Sequence, residues 1–239
     1  MSINDEYING DYTEKNPSFH VEDSPWKARQ ILEGLTRAKL SPTRIAEVGC
    51  GAGEILVQLS KELTEATFRG YELSPQGYEM CKERISDRIS FTDESFFDEE
   101  ETFDLALCID VFEHIEDYFT FLRDLSKKAN NFVFHIPLDM NVQMVARSKP
   151  ILGVRKSVGH LHYYSKDTAL ACLKDCGLEV VEWFYTSNGV DRPKSPKAKA
   201  LQIPRKLLFK VFPELTPRVL GGYSLLVVAK PSKAAERMG

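Results

Sequence analysis

Short apolar runs alternate along most of the chain with segments in which apolar residues recur every three or four positions. The runs predict seven strands, at residues 44–48, 67–71, 88–92, 103–109, 131–136, 178–185 and 222–230. The other spacing predicts amphipathic helices, at residues 26–40, 54–63, 76–85, 117–127, 166–176 and 201–212. This alternation predicts an α/β fold in which a doubly wound, mostly parallel sheet lies between two helical layers.

A glycine-rich turn joins the first predicted strand to the next helix, and it reads Glu47-Val48-Gly49-Cys50-Gly51-Ala52-Gly53. Glycines let the backbone bend sharply and let a ligand come close, while free N–H groups at the helix start face that ligand. A dinucleotide-binding turn would need glycine at position 54, where this chain has Glu54. The turn therefore disfavours an NAD-dependent dehydrogenase; a turn that only joins strand to helix remains the structural alternative.

The spacing acid-x-G-x-G-x-G in this turn resembles motif I of the class I S-adenosylmethionine (SAM) dependent methyltransferases. The segment FDLALCIDVFEHI at 103–115 is similar to the fourth motif of the small-molecule members, and GHLHYYS at 159–165 resembles their C-terminal half. The resemblance covers residues 40–186 and 222–230. It implies a three-layer, Rossmann-like sheet of seven strands in the order 3-2-1-4-5-7-6, with strand seven antiparallel. It also implies SAM as the methyl donor and S-adenosylhomocysteine as the product.

The resemblance further implies which residues hold the cofactor. The glycine turn would lie against its methionine half, with Glu47 near the amino group. Glu72 ends the second strand, where an acid about 20 residues past the turn accepts hydrogen bonds from ribose hydroxyls. Leu73 would lie against the adenine, and Asp93 or Glu94 would bind its amino group. The predicted cofactor-binding residues are Glu47, Gly49, Cys50, Gly51, Gly53, Glu72, Leu73, Asp93, Glu94, Asp110 and Val111.

Histidines provide the candidates for proton transfer. Ligands lie beyond the carboxyl ends of parallel strands, so Asp110 and His114, after the fourth strand, are expected near the reacting groups. An oxygen acceptor needs a general base, and histidine is suited to that role. His114 and His160 are the predicted catalytic residues, and His162 is a further candidate. His135, inside the fifth predicted strand, is expected to be structural.

Cysteine usage gives little support for a metal site. The chain has five cysteines and no C-x-x-C pair, so we expect reduced thiols in the core or in turns of a cytoplasmic protein. No metal is predicted. The alternative is an Asp110–Glu113–His114 metal site, which would resemble that of some quinone-pathway methyltransferases.

Length and composition indicate an ordinary globular protein. The chain has 239 residues, 43% of them hydrophobic and 28% charged, and a formal net charge of −4, which gives no bias toward nucleic acid. Residues 1–16 lack the apolar core of a signal peptide, and no run is long enough for a membrane span. We expect one domain over residues 1–239, with an N-terminal arm and helix at 1–40 and substrate-side insertions at 137–164 and 187–220.

The two insertions are basic although the whole chain is acidic. Residues 137–159 are predicted to be an irregular connection with four cations, and residues 187–220 contain eight cations against two acids. Both follow the carboxyl ends of strands, which is the ligand side of the sheet. They could face an acidic acceptor, such as a phosphorylated or nucleotide-linked sugar, or an anionic lipid surface, or they could be solvated loops. Under the acceptor hypothesis, joint neutralisation of Arg155, Lys156, Arg205 and Lys206 weakens acceptor binding and spares SAM binding.

The predicted function is methyl transfer from SAM to a small molecule, at an oxygen of a sugar or other anionic metabolite. Two alternatives remain open. Nucleic-acid methylation is disfavoured by the pI near 5.8 and by the lack of an Asn/Asp-Pro-Pro-Tyr motif. A SAM-binding regulator without catalytic activity would differ by showing no turnover. In the arm, Tyr12 and His20 are candidates to close over the cofactor.

Overall fold

Seven strands form one mixed sheet at the centre of the structure, a computed structural model that describes residues 14–193 and 196–232. The strands are β1 (Arg44–Val48), β2 (Thr67–Tyr71), β3 (Ile89–Thr92), β4 (Leu105–Ile109), β5 (Phe132–Pro137), β6 (Leu178–Thr186) and β7 (Ser224–Pro231). Their order is β3-β2-β1-β4-β5-β7-β6. Strands β1 to β5 are parallel, and β7 runs antiparallel to both β5 and β6. The predicted strand order and the antiparallel seventh strand are confirmed.

Helices cover both faces of the sheet. The helices are α1 (Ser24–Ala38), α2 (Glu54–Glu62), α3 (Pro75–Lys82), α4 (Tyr118–Leu125), α5 (Val142–Arg147), α6 (Lys149–Val158), α7 (Lys166–Asp175), α8 (Asn188–Asp191), α9 (Pro196–Ala200), α10 (Gln202–Val211) and α11 (Leu215–Leu220). Ile31 of α1, Leu56 of α2 and Cys81 of α3 belong to the core on one face. Leu122 of α4 and Leu173 of α7 belong to the core on the other. No helix within the described residues is both long and apolar enough to cross a membrane.

Local sequence signals set several helix ends where they were expected. Ser74 caps α3 by accepting a hydrogen bond from the Gly77 N–H, and Pro75 occupies the first turn, where its missing N–H costs nothing. Ser165 and Thr168 form a reciprocal capping box at the start of α7. Gly177 follows α7 with a φ of 83°, a left-handed conformation that glycine adopts readily. These caps fix where the chain enters and leaves the sheet.

The prediction of an irregular connection over residues 137–159 is wrong, because α5 and α6 lie there. The side chain of Asn141 caps α5, and Gly159 ends α6 with a φ of 81°. Helix α5 has only six residues, and α6 contains Pro150 and Gly153, which lower helix propensity, so local sequence signals favour a connection here. The short helices α8, α9 and α11 were also not predicted, whereas α10 confirms the amphipathic helix expected at 201–212.

Candidate active site

Acidic residues occur at the carboxyl end of every parallel strand. Each strand carries an acid in its last two positions or within the next two residues: Glu47, Glu72, Asp93, Asp110 and Asp139. Because parallel strands share one direction, these carboxylates lie along the same edge of the sheet. Ligands of such sheets bind at this edge.

The glycine turn between β1 and α2 forms a surface without side chains. Gly49, Gly51 and Gly53 have φ values of 67°, 57° and 77°, which favour glycine. A Cβ atom added at Gly53 would lie 2.4 Å from Phe91 Cε1, and one at Gly49 would lie 3.0 Å from Val111 Cγ2. The turn therefore requires glycine both for its backbone conformation and for its close packing.

Glu47 is a buried carboxylate with an unsatisfied oxygen. Its relative exposure is 1%, and its Oε2 has no hydrogen-bond partner within the described residues. Burial raises the pKa of Glu47 to about 8, although the charge of Lys27 opposes this shift. An unpaired buried carboxylate oxygen is costly unless a ligand or water satisfies it. This position can therefore accept hydrogen bonds from a cationic donor such as an ammonium group.

Glu72 is oriented by the backbone around it. Its Oε2 accepts a hydrogen bond from the Gly51 N–H at 2.7 Å, and its Oε1 accepts one from the Ser74 N–H at 2.8 Å. Burial raises the pKa of Glu72 to about 7, although these hydrogen bonds oppose the shift. A carboxylate has about four acceptor positions, so two hydroxyl donors can still bind. Beside it, Leu73 is 63% exposed and offers an apolar surface at the rim.

Of the remaining predicted cofactor residues in this half, Asp93 and Glu94 are exposed after β3. The Cys50 side chain turns into the core, where its Sγ lies 3.9 Å from Cys81 Sγ. The Cys81 thiol donates to the Gly51 carbonyl at 3.1 Å. Cys50 can therefore contribute only backbone atoms to the turn. All five cysteines are free and buried.

Asp110 lies at the end of β4 in a left-handed conformation, with a φ of 56°. Its Oδ1 contacts His135 Nδ1 at 2.6 Å, and its Oδ2 contacts Lys27 Nζ at 2.8 Å. Burial opposes its ionisation, but His135 and Lys27 outweigh burial and hold the pKa of Asp110 well below its usual range. His135 Nε2 lies 2.9 Å from Thr186 Oγ1. This network fixes Asp110 and gives His135 the structural position expected for it.

A second buried group lies one turn further along, where Glu113, His114 and His160 come together. Each offers one polar atom, and these atoms lie within 4.8 Å of one another. Both carboxylate oxygens of Glu113 are buried without a hydrogen-bond partner in the described chain. His160 Nδ1 lies 2.7 Å from Asp139 Oδ2, and the carboxylate must be the acceptor. The two predicted catalytic histidines are thus neighbours, with ring centroids 4.9 Å apart.

The surroundings of these groups set their protonation. Burial and the charge of Asp110 raise the pKa of Glu113 well above its usual range, which favours the neutral acid at pH 7. Burial, together with the nearby His160, lowers the pKa of His114 to about 4, which favours neutral imidazole. The alternative metal set predicted from sequence is not brought together, because Asp110 binds Lys27 and His135 while His160 joins Glu113 and His114.

His162 has a different environment from the other two candidates. Its Nε2 lies 2.9 Å from the Ile115 carbonyl, to which it must donate. Its ring packs against Tyr118 with centroids 4.5 Å apart. The hydrogen bond to a backbone carbonyl holds the His162 ring in place in the segment before α7.

A cavity of about 250 Å³ adjoins this group on the side of Asp139. Residues of β5, α5, α10 and the segment before β7 line it, including Asp139, Arg147 and Arg205. The Arg205 guanidinium donates to the Leu220 carbonyl at 2.8 Å, whereas its Nε is buried without a hydrogen-bond partner in the described residues. The other three cations of the acceptor hypothesis differ: Lys206 pairs with Asp191 at 2.7 Å, and Arg155 and Lys156 are exposed on α6.

Part of the N-terminal arm covers the glycine turn. A Cβ added at Gly51 would lie 3.5 Å from the Phe19 ring. The Asn16 side chain donates to the Ser157 carbonyl of α6 at 3.2 Å. His20 follows Phe19 with a φ of 57°, and Tyr12 lies outside the described residues. The arm thus connects the edge of the glycine turn with α6.

Sequence reasoning missed Lys27, Asp139 and the special environment of Arg205. Asp139 follows β5, so the rule that acids at strand ends face ligands could have identified it. Lys27 lies in α1, far from any strand end in sequence, and only the packing of α1 brings it to Asp110. The acceptor hypothesis groups Arg205 with three other cations, because a sequence does not reveal which cation of a basic segment has a buried nitrogen.

The donor set fits S-adenosylmethionine. Glu47 offers an unpaired oxygen to an ammonium group, the glycine turn offers a surface without side chains, and Glu72 keeps acceptor positions for two ribose hydroxyls. Lys27 provides a cation close to Glu47 and Asp110. The charges thus complement both ends of the amino-acid moiety, and no cluster of cations suited to a pyrophosphate lies at the turn within the described residues.

Comparison with known families agrees with this geometry. Residues 24–183 match the family described as "Methyltransferase domain", so the chain belongs to that methyltransferase family. The match extends from the start of α1 into β6 and includes the glycine turn, all five acidic strand ends and the Glu113–His114–His160 group. SAM is the cofactor that this family implies, as predicted.

Individual relatives are more distant. The chain is 34% identical over 83 residues to a phthiotriol/phenolphthiotriol dimycocerosates methyltransferase of Mycobacterium leprae (strain TN), a match that covers 33% of this chain and 31% of that protein. One similar solved structure is a complex between the Haloferax volcanii Trm112 methyltransferase activator and a methyltransferase, with a TM-score of 0.66, 17% identity, and coverage of 97% of this chain and 98% of the other. Another is the magnesium protoporphyrin IX methyltransferase of Synechocystis PCC 6803 with bound S-adenosylhomocysteine, with a TM-score of 0.59, 14% identity, and coverage of 87% and 83%. At these identities the structural likeness concerns the fold.

Proposed function

We propose that this methyltransferase transfers the methyl group of SAM to an oxygen of a small, acidic metabolite such as a sugar derivative. The observation that carries the proposal is the unpaired, buried Oε2 of Glu47 beside three glycines with positive φ. It provides a carboxylate acceptor and a side-chain-free surface at the edge where ligands of such sheets bind.

In this proposal the acidic edge binds the cofactor from one end to the other. Glu47 accepts from the ammonium group of SAM, and Lys27, now paired with Asp110, interacts with its carboxylate. Glu72 accepts hydrogen bonds from the ribose hydroxyls, and Leu73 lies on one face of the adenine. Asp93 or Glu94 accepts from the adenine amino group.

The chemistry needs orientation more than activation. Methyl transfer is an in-line displacement with a neutral thioether as leaving group, so the protein mainly aligns the acceptor and excludes water. For a hydroxyl acceptor, His160 is the proposed general base. Because its Nδ1 donates to Asp139 at 2.7 Å, Nε2 is the basic nitrogen that takes the proton. His114 lies beside His160 in the same pocket and contributes as a neutral imidazole.

An acidic acceptor is supported by the cavity next to Asp139. The Arg205 Nε is buried and has no hydrogen-bond partner within the described residues. Arg147 lines the same cavity. A phosphate or carboxylate would accept a hydrogen bond from the Arg205 Nε and interact with the charge of Arg147, whose own Nε donates to the Gln143 carbonyl at 2.9 Å. The names of similar methyltransferases include a mycobacterial lipid and a porphyrin, so these relatives do not restrict the acceptor to sugars.

A transfer assay with methyl-labelled SAM tests the proposal. Sugar phosphates, nucleotide sugars and their uncharged counterparts serve as acceptors. We expect the label on an oxygen of an acidic acceptor. His160→Gln removes the proposed general base, so its kcat should fall by about 10²–10⁴-fold. SAM affinity should not change. His162→Gln is the matched control, because its ring is held by a backbone carbonyl, and it should keep most of the activity.

Three results would contradict the proposal. They are label on nitrogen, equal turnover in His160→Gln and wild type, and SAM binding without turnover on any acidic or neutral acceptor. The third result would support a regulatory SAM-binding protein instead.

A further inference from the structure

Exposed apolar side chains are concentrated in one part of the molecule. Of the fourteen large apolar side chains exposed in the described residues, eleven lie in the stretches 140–152 and 201–215. These stretches include α5, the start of α6, α10 and the start of α11. We call the four helices α5, α6, α10 and α11 the helical cap. Helix α10 packs against α11, α11 against α5, and α5 against α6. The exposed side chains therefore belong to neighbouring helices.

Helix α10 shows how this surface is built. Ile203, Leu207 and Val211 are 69%, 59% and 67% exposed, and their spacing of four places them on one face. Phe209 points to the other side, where its ring stacks on Tyr223 with centroids 4.7 Å apart. The helix is thus attached to the protein through Phe209 and presents a continuous apolar stripe to the solvent.

The charge of the cap is mostly positive: Glu214 lies between α10 and α11, and Lys206 and Arg218 pair with Asp191 and Asp167, each at 2.7 Å. Its four helices contain eight cations and no acid, in a chain whose formal net charge is −4. The cations are Arg147, Lys149, Arg155, Lys156, Arg205, Lys206, Lys210 and Arg218. On α10, Lys206 and Lys210 are three and seven residues after Ile203, so they border the apolar stripe along one side.

We propose that the helical cap docks this protein on the surface of an anionic lipid bilayer. A helix with an apolar face bordered by lysines is the form that lies in a membrane interface. Anionic lipids attract each cation near the surface and accept the apolar stripe below their headgroups. Two copies of the cap would bring sixteen cations together, so the charge disfavours a second copy as the occupant. The proposal does not depend on the acceptor or on methyl transfer.

Flotation of the full-length chain with lipid vesicles tests the proposal. Vesicles of phosphatidylcholine alone are compared with vesicles that also contain phosphatidylglycerol. We expect binding only to the anionic vesicles, and weaker binding at higher salt because the attraction is screened. Replacing Ile203, Leu207 and Val211 by serine should abolish flotation. Lys149→Gln, Lys156→Gln and Lys210→Gln together should weaken it by about fivefold per cation, on the order of a hundredfold in total.

Matched variants separate the surface from general effects. Ile85→Ser with Val181→Ser removes exposed apolar side chains elsewhere, and Lys39→Gln, Lys61→Gln and Lys174→Gln remove three exposed cations outside the cap. Both control proteins should float like wild type. An absence of binding to anionic vesicles, equal binding to neutral ones, or full binding by the serine variant would overturn the proposal. So would a dimer in solution that the serine variant dissociates, since the stripe would then bind a second copy.

Discussion

The acidic edge of the sheet and the helical cap lie on the same side of the molecule and are built in opposite ways. At the edge, Glu47, Glu72 and Glu113 are buried polar groups within a close-packed core. In the cap, α5, α6 and α10 contain no buried residue, and most of their large apolar side chains face the solvent. The edge has polar groups that need a ligand, whereas the cap has apolar groups that need a surface.

The two regions therefore differ in what stabilises them. The edge is held by the parallel strands and by glycine positions that tolerate no side chain, so its geometry is set by folding. The cap adds almost nothing to the core, so its surface can be changed at little cost to the fold. Substitutions that affect both regions in the same way would contradict this distinction.

The largest expected effect is that of Gly53→Ala, compared with the same substitution at Gly153. In Gly53→Ala, the left-handed backbone and the 2.4 Å approach to Phe91 should lower the free energy of unfolding by about 2–5 kcal/mol. Gly153, inside α6, has no neighbour within 4 Å of an added Cβ. Gly153→Ala should be neutral or raise the free energy of unfolding by about 0.5–1 kcal/mol. Urea unfolding measures both, and equal losses would remove the distinction.

Glu72→Ala should have the next largest effect. Loss of the carboxylate removes the proposed ribose acceptors and the support of the Gly51 N–H, so SAM affinity should fall by about 1.5–3 kcal/mol. Glu62→Ala, which changes an exposed acid at the end of α2, is the control and should bind like wild type. Titration calorimetry gives both affinities. An unchanged affinity in Glu72→Ala would remove Glu72 from the cofactor site.

A further expected effect concerns pH. The folded-state pKa values of Glu47 and Glu72 are raised to about 8 and about 7, above the ordinary value of 4.5. For these two groups the folded state binds more protons than the unfolded state between pH 4.5 and pH 8, so their contribution to stability is fully present below pH 4.5 and is lost as pH rises toward 8. Glu47→Gln removes one ionisation and should reduce this fall by about 3 kcal/mol between pH 5 and pH 8. Urea unfolding at pH 5 and pH 8 measures it, and an identical slope in both proteins would contradict the raised pKa of Glu47.

The same contrast explains what the sequence could predict. The glycine turn, the strand order and the acid at the end of β2 follow from local patterns and from the family resemblance, since the core imposes them. Helices α5 and α6 were not predicted because α5 has only six residues and α6 contains Pro150 and Gly153, which lower helix propensity. Lys27 reaches Asp110 only through the packing of α1, and the pairing of His160 with Asp139 joins residues 21 positions apart. Such contacts depend on tertiary structure.

Binding of SAM measured by titration calorimetry at pH 7, in two buffers of different ionisation enthalpy, tests the central claim most directly. Glu47 is mostly protonated in the free protein, with a pKa of about 8, and must ionise to hold an ammonium group. We therefore predict binding with net proton release, affinity that rises between pH 6 and pH 8, and loss of both the proton release and much of the affinity in Glu47→Gln. No binding of SAM, or the same affinity and proton release in Glu47→Gln, would contradict the account.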